Sequence, residues 1–469
     1  MDLPPSTDDS SPALSQSGRP PPSWLRGVVR ALRHRNYRLF FAGQIVSLCG
    51  TFLTQTAMVY LVYRQTNSGT LLGATAFAGQ VPSFVLAPFA GVWVDRLNRQ
   101  RLIIATQTLA MVQSFALAAL AHFFAGQTNI LVPGLISLAF AQGLINAFDM
   151  PCRQAFLVEM VDSREDLANG IALNSTMVHA ARLVGPSVAG LLIHFVGASL
   201  CFLLDGISYI GVIAALLAMR LRPAKPRPPS GSVLDELREG FGYVWGFAPM
   251  RAVLVLMALF SLTGMPAFSL LLVVFAKALT PNRYDETFGF LMGASALGAL
   301  IGAIYLAARR SVVGLGRLIA IMGVCFGAVL IGFSFSRYLW LSMLIVPLAG
   351  CSMLIVFASA NTLLQTLTED EKRGRVMSFF TMAFVGMTPW GNLLAGRVSD
   401  ALGGNYLGAS RTLQIAGAIC IAAATSFAFK LPALRKVVRA VYVRKGILPR
   451  EVASGLQAAT EMVSGSEQQ

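Results

Sequence analysis

A chain of 469 residues in which 55% are apolar and only 13% charged lies far from soluble domains, where roughly a quarter of residues carry charge, so water is excluded as its main solvent. The formal net charge of +15 would suit a nucleic-acid partner, but the apolar residues fall in runs of about twenty, each long enough to cross a hydrocarbon core of roughly 30 Å as a helix. No alternating ten-residue pattern of the kind that builds a membrane β-barrel occurs. An all-α membrane protein without a nucleic-acid role is expected.

In chain order, residues 1–38 read as a disordered cytoplasmic tail ending in a basic juxtamembrane segment; its start, rich in Pro, Ser and Asp, fits no cleavable signal. Spans are expected near 39–63, 71–94, 102–124, 130–149, 168–194 and 199–219, forming a first six-helix bundle over 39–219. Residues 220–250 read as a cytoplasmic linker, opening on a basic, proline-rich stretch from Arg220 and continuing as an amphipathic segment from Ser232, with Asp235 as a capping residue. Further spans near 252–276, 288–308, 317–335, 338–362, 376–396 and 410–430 form a second bundle over 251–430, and residues 431–469 a basic cytoplasmic tail.

Positive charge sorts cleanly across this map: about 30 of the 37 Lys and Arg lie before the first span, after the last, or after even-numbered spans. The other side holds only Arg64, Lys277, Arg283, Arg337, Arg397 and Arg411. Positive charge collects on the cytoplasmic side, so both termini are expected there, which requires an even number of spans. The halves echo each other weakly, at an offset of about 205 residues, in the charged connections around Glu159 to Asn169 and Thr366 to Arg375. Six scattered cysteines have no metal-ligand spacing; no metal and no cofactor is expected.

The most specific stretch closes the second span and opens the third: Gly91-Val-Trp-Val-Asp95-Arg96-Leu-Asn-Arg99-Gln-Arg101. It resembles the cytoplasmic loop signature of the major facilitator superfamily, departing from it at Asn98, where the family has glycine, and at Trp93. The resemblance implies a cytoplasmic gate of Gly91, Asp95, Arg96, Arg99 and Arg101, with Arg99 pairing with Asp149 at the inner end of span four. In span five, Arg182-Leu-Val-Gly185-Pro186-Ser-Val-Ala-Gly190 resembles the Gly-Pro element of exporters, a helix-bending element in which Pro186 removes a backbone hydrogen bond while Gly185 and Gly190 let neighbours approach. The opening Arg35-Asn-Tyr-Arg-Leu-Phe-Phe and Pro151-Cys-Arg-Gln-Ala-Phe look most like the branch of transmembrane secretion effectors that includes the enterobactin exporter. That branch implies proton-coupled secretion of siderophores, drugs or other metabolites.

An arginine deep in a span needs a cavity or a partner. Asp205 is the nearest charged candidate by topology for Arg182; a pair would either couple protons to transport or lock spans five and six statically. His179, Asn174, Gln55 and Asn361 complete the proton-coupling or cavity candidates. No phosphate loop, His-Glu-x-x-His or Gly-x-Ser-x-Gly elbow is present, so an ion gradient is the expected energy source and no enzyme is expected. The reading is a monomeric secondary transporter of the plasma membrane, exporting a small amphiphilic molecule against protons among membrane lipids. Import or lipid flipping by the same fold, and a non-transporting membrane partner, are the alternatives.

Overall fold

The computed structural model describes residues 30–160, 164–219, 242–309, 311–369 and 372–444, and among these every regular element is helical. The first half contains α1 (Arg35–Thr66), α2 (Gly69–Arg96), α3 (Arg99–Phe123), α4 (Thr128–Glu159), α5 (Arg164–Val196) and α6 (Ala198–Leu217). The second contains α7 (Ala248–Leu262), α8 (Gly264–Leu279), α9 (Tyr284–Ala308), α10 (Leu315–Ser334), α11 (Leu339–Leu367), α12 (Arg373–Thr381), α13 (Thr388–Ala401) and α14 (Asn405–Arg444). Eleven stretches of described helix, α7 and α8 taken together, are long and apolar enough to cross a membrane. The expected tail over residues 1–29, most of the linker (220–241) and the end of the basic tail (445–469) lie outside the described residues.

Four expected boundaries change. The span expected to end at 149 continues as α4 to Glu159. The span expected at 252–276 is two helices, α7 and α8, parted at Thr263: Pro266 has no N–H to donate to the Leu262 carbonyl, and Gly264 fits closely against the Cys420 sulfur and the Phe326 ring. The span expected at 376–396 is α12 and α13 joined by a π-helical turn, Met382–Gly386, just ahead of Pro389, where one extra residue absorbs the donor that proline withholds. The helix expected to stop at 430 continues as α14 to Arg444, with Pro432 inside it.

In lipid, helices gain little from burying apolar surface, so close packing of small residues does much of the holding. Gly298 of α9 lies against the Pro347 carbonyl of α11, and Gly350 of α11 against the Ser295 carbonyl of α9. A chain of buried rings, Phe260, Phe326, Phe268, Phe333 and Phe275, ending on half-buried Tyr406, with successive centroids 4.6–6.4 Å apart, packs the second half. Tyr37, Phe40 and Phe156 anchor a separate cluster where α1 begins.

The halves meet along two seams, α2 with the π-helical turn and α13, and α5 with α9. On the first, Gly69 and Gly73 press on the backbone of Gly396 and Asn392, Phe77 packs edge-on against Trp390 at 5.0 Å, and Phe84 covers Gly386. On the second, Gly190 and Gly289 approach so closely that a Cβ on Gly190 would stand 3.0 Å from the Gly289 Cα. Substituting Gly298 by Val drives a side chain into α11 backbone and is expected to lower stability by roughly 1–3 kcal/mol or more, read as a reduced melting temperature of the purified protein. Gly211→Val, at a position with open space within 4 Å, is expected to leave the melting temperature unchanged.

Candidate functional site

Let the terminal face be the one where α1 begins and α14 ends, and the opposite face the one where α2 and α14 begin. On the terminal face, α3 starts at Arg99, capped by Asn98, whose side-chain oxygen accepts from the Arg101 N–H at 3.0 Å. Asn98 is extended (φ −69°, ψ 109°), so its place in the signature rests on capping and not on a left-handed turn. The expected pairing of Arg99 with Asp149 is not formed. Arg99 reaches Glu159 at the end of α4, 2.5 Å away. Asp149 is buried one layer deeper, accepting from Thr106 Oγ1 and Gln107 Nε2 of α3, both at 2.7 Å, and holding Arg153 one turn along α4 at 2.5 Å. Arg153 in turn donates to the Gln44 carbonyl oxygen on α1. The reason is register: Arg99, at the first residue of α3, stands level with the last turn of α4, ten residues beyond Asp149.

This network ties α1, α3 and α4 together inside one half. Arg101 is exposed. Gly91, Asp95 and Arg96 lie on the closing turns of α2, and their side chains, like that of His179 on α5, are outside the described set.

Asp205 of α6 is 2% exposed. One carboxylate oxygen accepts from Thr54 Oγ1 of α1 at 2.8 Å and Ser114 Oγ of α3 at 2.9 Å. The other has no partner among the described residues and faces the bare Cα of Gly50, where a Cβ would sit 2.6 Å away. The expected partner Arg182 is elsewhere, its guanidinium 5.7 Å from the ring centroid of Phe52. The two lie on different sides of α1: Asp205 bonds to Thr54 within the first half, whereas Arg182 lies over Phe52.

Of the helix-bending element, Gly185 abuts Phe52 and the Cys49 carbonyl of α1, while the Pro186 carbonyl and Gly190 abut Gly289 of α9. α5 nevertheless runs unbroken through Pro186. Gln55 is exposed on α1, Asn174 half-buried on α5, and Asn361 accepts from Gln365 one turn along α11 at 3.0 Å.

The opposite face carries contacts that the sequence reading missed. Asp400, at the end of α13, reaches across to the start of α2 and accepts from Ser68 Oγ at 2.7 Å and from the Gly69 and Thr70 N–H groups, both at 2.8 Å. A carboxylate thus caps the positive end of a helix in the other half. Burial pushes the Asp400 carboxyl up, but these hydrogen bonds outweigh it and hold the group below its ordinary value. At the second seam, His194 of α5 stands 3.4 Å from Asp285 and 3.2 Å from Glu286 of α9. Lys277 of α8 donates to Asn67 at 2.5 Å and sits over the rings of Tyr63 and Tyr284, at 5.6 and 5.8 Å. The helix-terminal position of Ser68 was a readable cap; its partner 332 residues away was not.

Comparisons place this geometry among known proteins. The sequence profile described as transmembrane secretion effector matches residues 27–458. The staphyloferrin A transporter of Staphylococcus aureus is 25% identical over 386 residues, covering 82% of this chain and 94% of that one. The multidrug efflux pump Tap of Mycolicibacterium fortuitum is 26% identical over 384 residues, covering 79% and 91%. Among solved structures, the nucleoside transporter NupG superposes with a TM-score of 0.63 at 13% identity over 86% of this chain and 99% of that one. A bacterial homologue of the iron transporter ferroportin in an inward-facing state gives 0.63 at 15% identity over 83% and 98%. The chain therefore belongs to the transmembrane secretion effector family of the major facilitator superfamily: it is a multi-pass transporter of the plasma membrane and not an enzyme.

Proposed function

We propose that this protein exports a small amphiphilic molecule, a siderophore, drug or other metabolite, in exchange for protons, by rocking its two halves about a central site. In this reading residues 376–396, running from α12 into α13, supply a further span and bring the total to twelve. The charge asymmetry puts the terminal face, with both chain ends, in the cytoplasm, and the chain acts as a monomer. The observation that carries the proposal is where the halves touch. Contacts across the halves on the opposite-face side of the molecule run from Asp400 with Ser68 to Phe77 with Trp390 and His194 with Glu286. An alternating-access transporter held shut on that side exchanges its cargo with the other side, the cytoplasm in this reading.

Roles follow from placement. Asp400 and the His194 and Lys277 contacts form the outer gate, made of a handful of polar interactions that one conformational step can release. Gly91, Asp95, Arg96, Arg99, Arg101 and Asp149 belong to the inner gate, with Glu159 and Arg153 as the partners that Arg99 and Asp149 hold in this state. Asp205, a carboxylate sealed within a half and hydrogen-bonded through one oxygen only, is the proton carrier. The relatives support the substrate class: one is a siderophore transporter by name and another a multidrug efflux pump.

The reading is tested by accumulation of dyes, antibiotics and siderophores in efflux-deficient bacteria expressing the protein, with and without a proton uncoupler. Lower accumulation that the uncoupler abolishes is expected; unchanged accumulation across the panel overturns the proposal. Asp205→Asn is expected to reach the membrane normally and to lose the pH dependence of export, and an unaltered pH profile removes Asp205 as the carrier. Asp400→Asn is expected to shift the protein toward the state open on the outer face, seen as longer pulsed-EPR distances between spin labels at Gln65→Cys and Arg283→Cys. Because the closed gate holds the Asp400 carboxyl below its ordinary value, its contribution to closure is full above the ordinary carboxylate range and is lost as pH falls through the lowered value. Acid is therefore expected to lengthen the wild-type distance in that range, and Asp400→Asn to lack this step.

A further inference from the structure

Arg182 is the ionised group in the middle of α5 that no gate uses. It lies roughly 21 Å from the end of its helix at Val196, at about 1.5 Å per residue, and so near mid-membrane. Residues three and four apart share a helix stripe, so Arg182 sits one turn below both Gly185, which abuts α1, and Pro186, which abuts α9. That stripe points between the two helices, into the space between the halves, just beneath the Gly190 and Gly289 contact that closes it. Arg182 is exposed there although Ala181 and Gly185 beside it are buried.

No carboxylate among the described residues answers it. Among the described residues the guanidinium makes no hydrogen bond or ion pair, and its one recorded neighbour is the Phe52 ring. The two buried acidic residues described in the first half are engaged away from it: Asp149 by Arg153, Thr106 and Gln107, and Asp205 by Thr54 and Ser114 on the far side of α1. Asp285, Glu286 and Asp400 belong to the opposite face. The second half offers nothing: residues 242–284, 287–368 and 372–399 contain no Asp or Glu. A guanidinium at this depth is costly without a counter-charge, and its planar fork of donors matches a carboxylate or phosphate.

We propose that Arg182, floored by Phe52 and flanked by Gln55 one turn along α1, is the anchor for an anionic group on the transported molecule, so that the substrate is an amphiphilic anion. The anionic head bonds to the guanidinium, and the apolar body lies along Phe52 and the uncharged wall of the second half. Pro186 adds to the polarity, since it withholds the N–H that would otherwise occupy the Arg182 carbonyl. This deepens the export reading and rests on it for the identity of the cleft as the transport path.

The test uses the purified full-length chain in nanodiscs and two fluorescent probes, 11-(dansylamino)undecanoate and its primary amide, titrated against wild type, Arg182→Lys and Arg182→Gln. Wild type is expected to bind the carboxylate at least about tenfold tighter than the amide. Arg182→Gln is expected to bind both equally, at the wild-type affinity for the amide, and Arg182→Lys to keep part of the preference. Retained amide binding shows that the variant is folded. Equal binding of the two probes by wild type, no binding of the carboxylate, or an undiminished preference in Arg182→Gln overturns the proposal. Efflux of the same probes from cells separates it from the export reading. Equal export of the carboxylate by wild type and Arg182→Gln sinks the anchor and leaves export standing. A preference lost in Arg182→Gln without export of either probe by wild type supports the anchor and counts against export.

Discussion

A charge inside a membrane protein must find a partner, a set of hydrogen bonds or a wet cavity, because hydrocarbon offers none of these. Three ionisable groups within the spans of the first half meet this constraint in three ways. Asp149 is held by Arg153 and two donors from α3. Asp205 takes two hydroxyl donors on one oxygen and leaves the other beside Gly50. Arg182 faces the space between the halves over Phe52. The first solution is rigid, since removing either partner strands the other. The second is poised, because a carboxylate with one unoccupied oxygen has room for a proton, and the third is incomplete until something anionic arrives.

The seams between the halves are built to a different rule. Where Gly69, Gly73, Gly190 and Gly289 bring backbone to backbone, contact is dense but chemically neutral. The polar contacts above them supply direction: a carboxylate on a helix N-terminus, a histidine between two carboxylates and a lysine between two tyrosines. Net contributions of about 1.5–3 kcal/mol for a hydrogen bond to a charged group are enough to bias a two-state equilibrium strongly, yet few enough to be released together. The pair Asp149 with Arg153 lies within one half. Through Thr106, Gln107 and Gln44 it ties α1, α3 and α4 to one another.

Much of the fold was legible from residue type alone. Runs of apolar residues located the spans, because the bilayer leaves helices no alternative, although α4 and α14 run on to Glu159 and Arg444, past their expected ends. The exceptions sit where backbone chemistry overrides hydropathy: Pro266 parts α7 from α8, and Pro389 draws the π-helical turn out of the path between α12 and α13. Family likeness singled out Arg99 and Asp149, but their partners depended on helix register, and a likeness borrowed from other proteins carries no register. Arg153 stood in plain view four residues from Asp149, the spacing at which opposite charges on a helix meet. By contrast, nothing local in Asp400 points to Ser68. A contact across 332 residues exists only because two halves close upon each other, and it is a property of one conformational state.

The distribution of charge also divides the labour between the halves. Ionisable groups at membrane depth belong to α4, α5 and α6, whereas the second half fills its interior with stacked Phe rings and lines its inner spans without an acidic residue. In the transport cycle proposed above, coupling and recognition must report to each other, and groups carried by neighbouring helices of one half are placed to do so. Asp205 and Arg182 lie on either side of α1, tied to it through Thr54 and Phe52, residues two apart in sequence. Any shift of α1 that loosens one alters the setting of the other. The route by which a proton on Asp205 would be felt at Arg182 is then a single helix, and the second half serves as the apolar wall against which that helix moves.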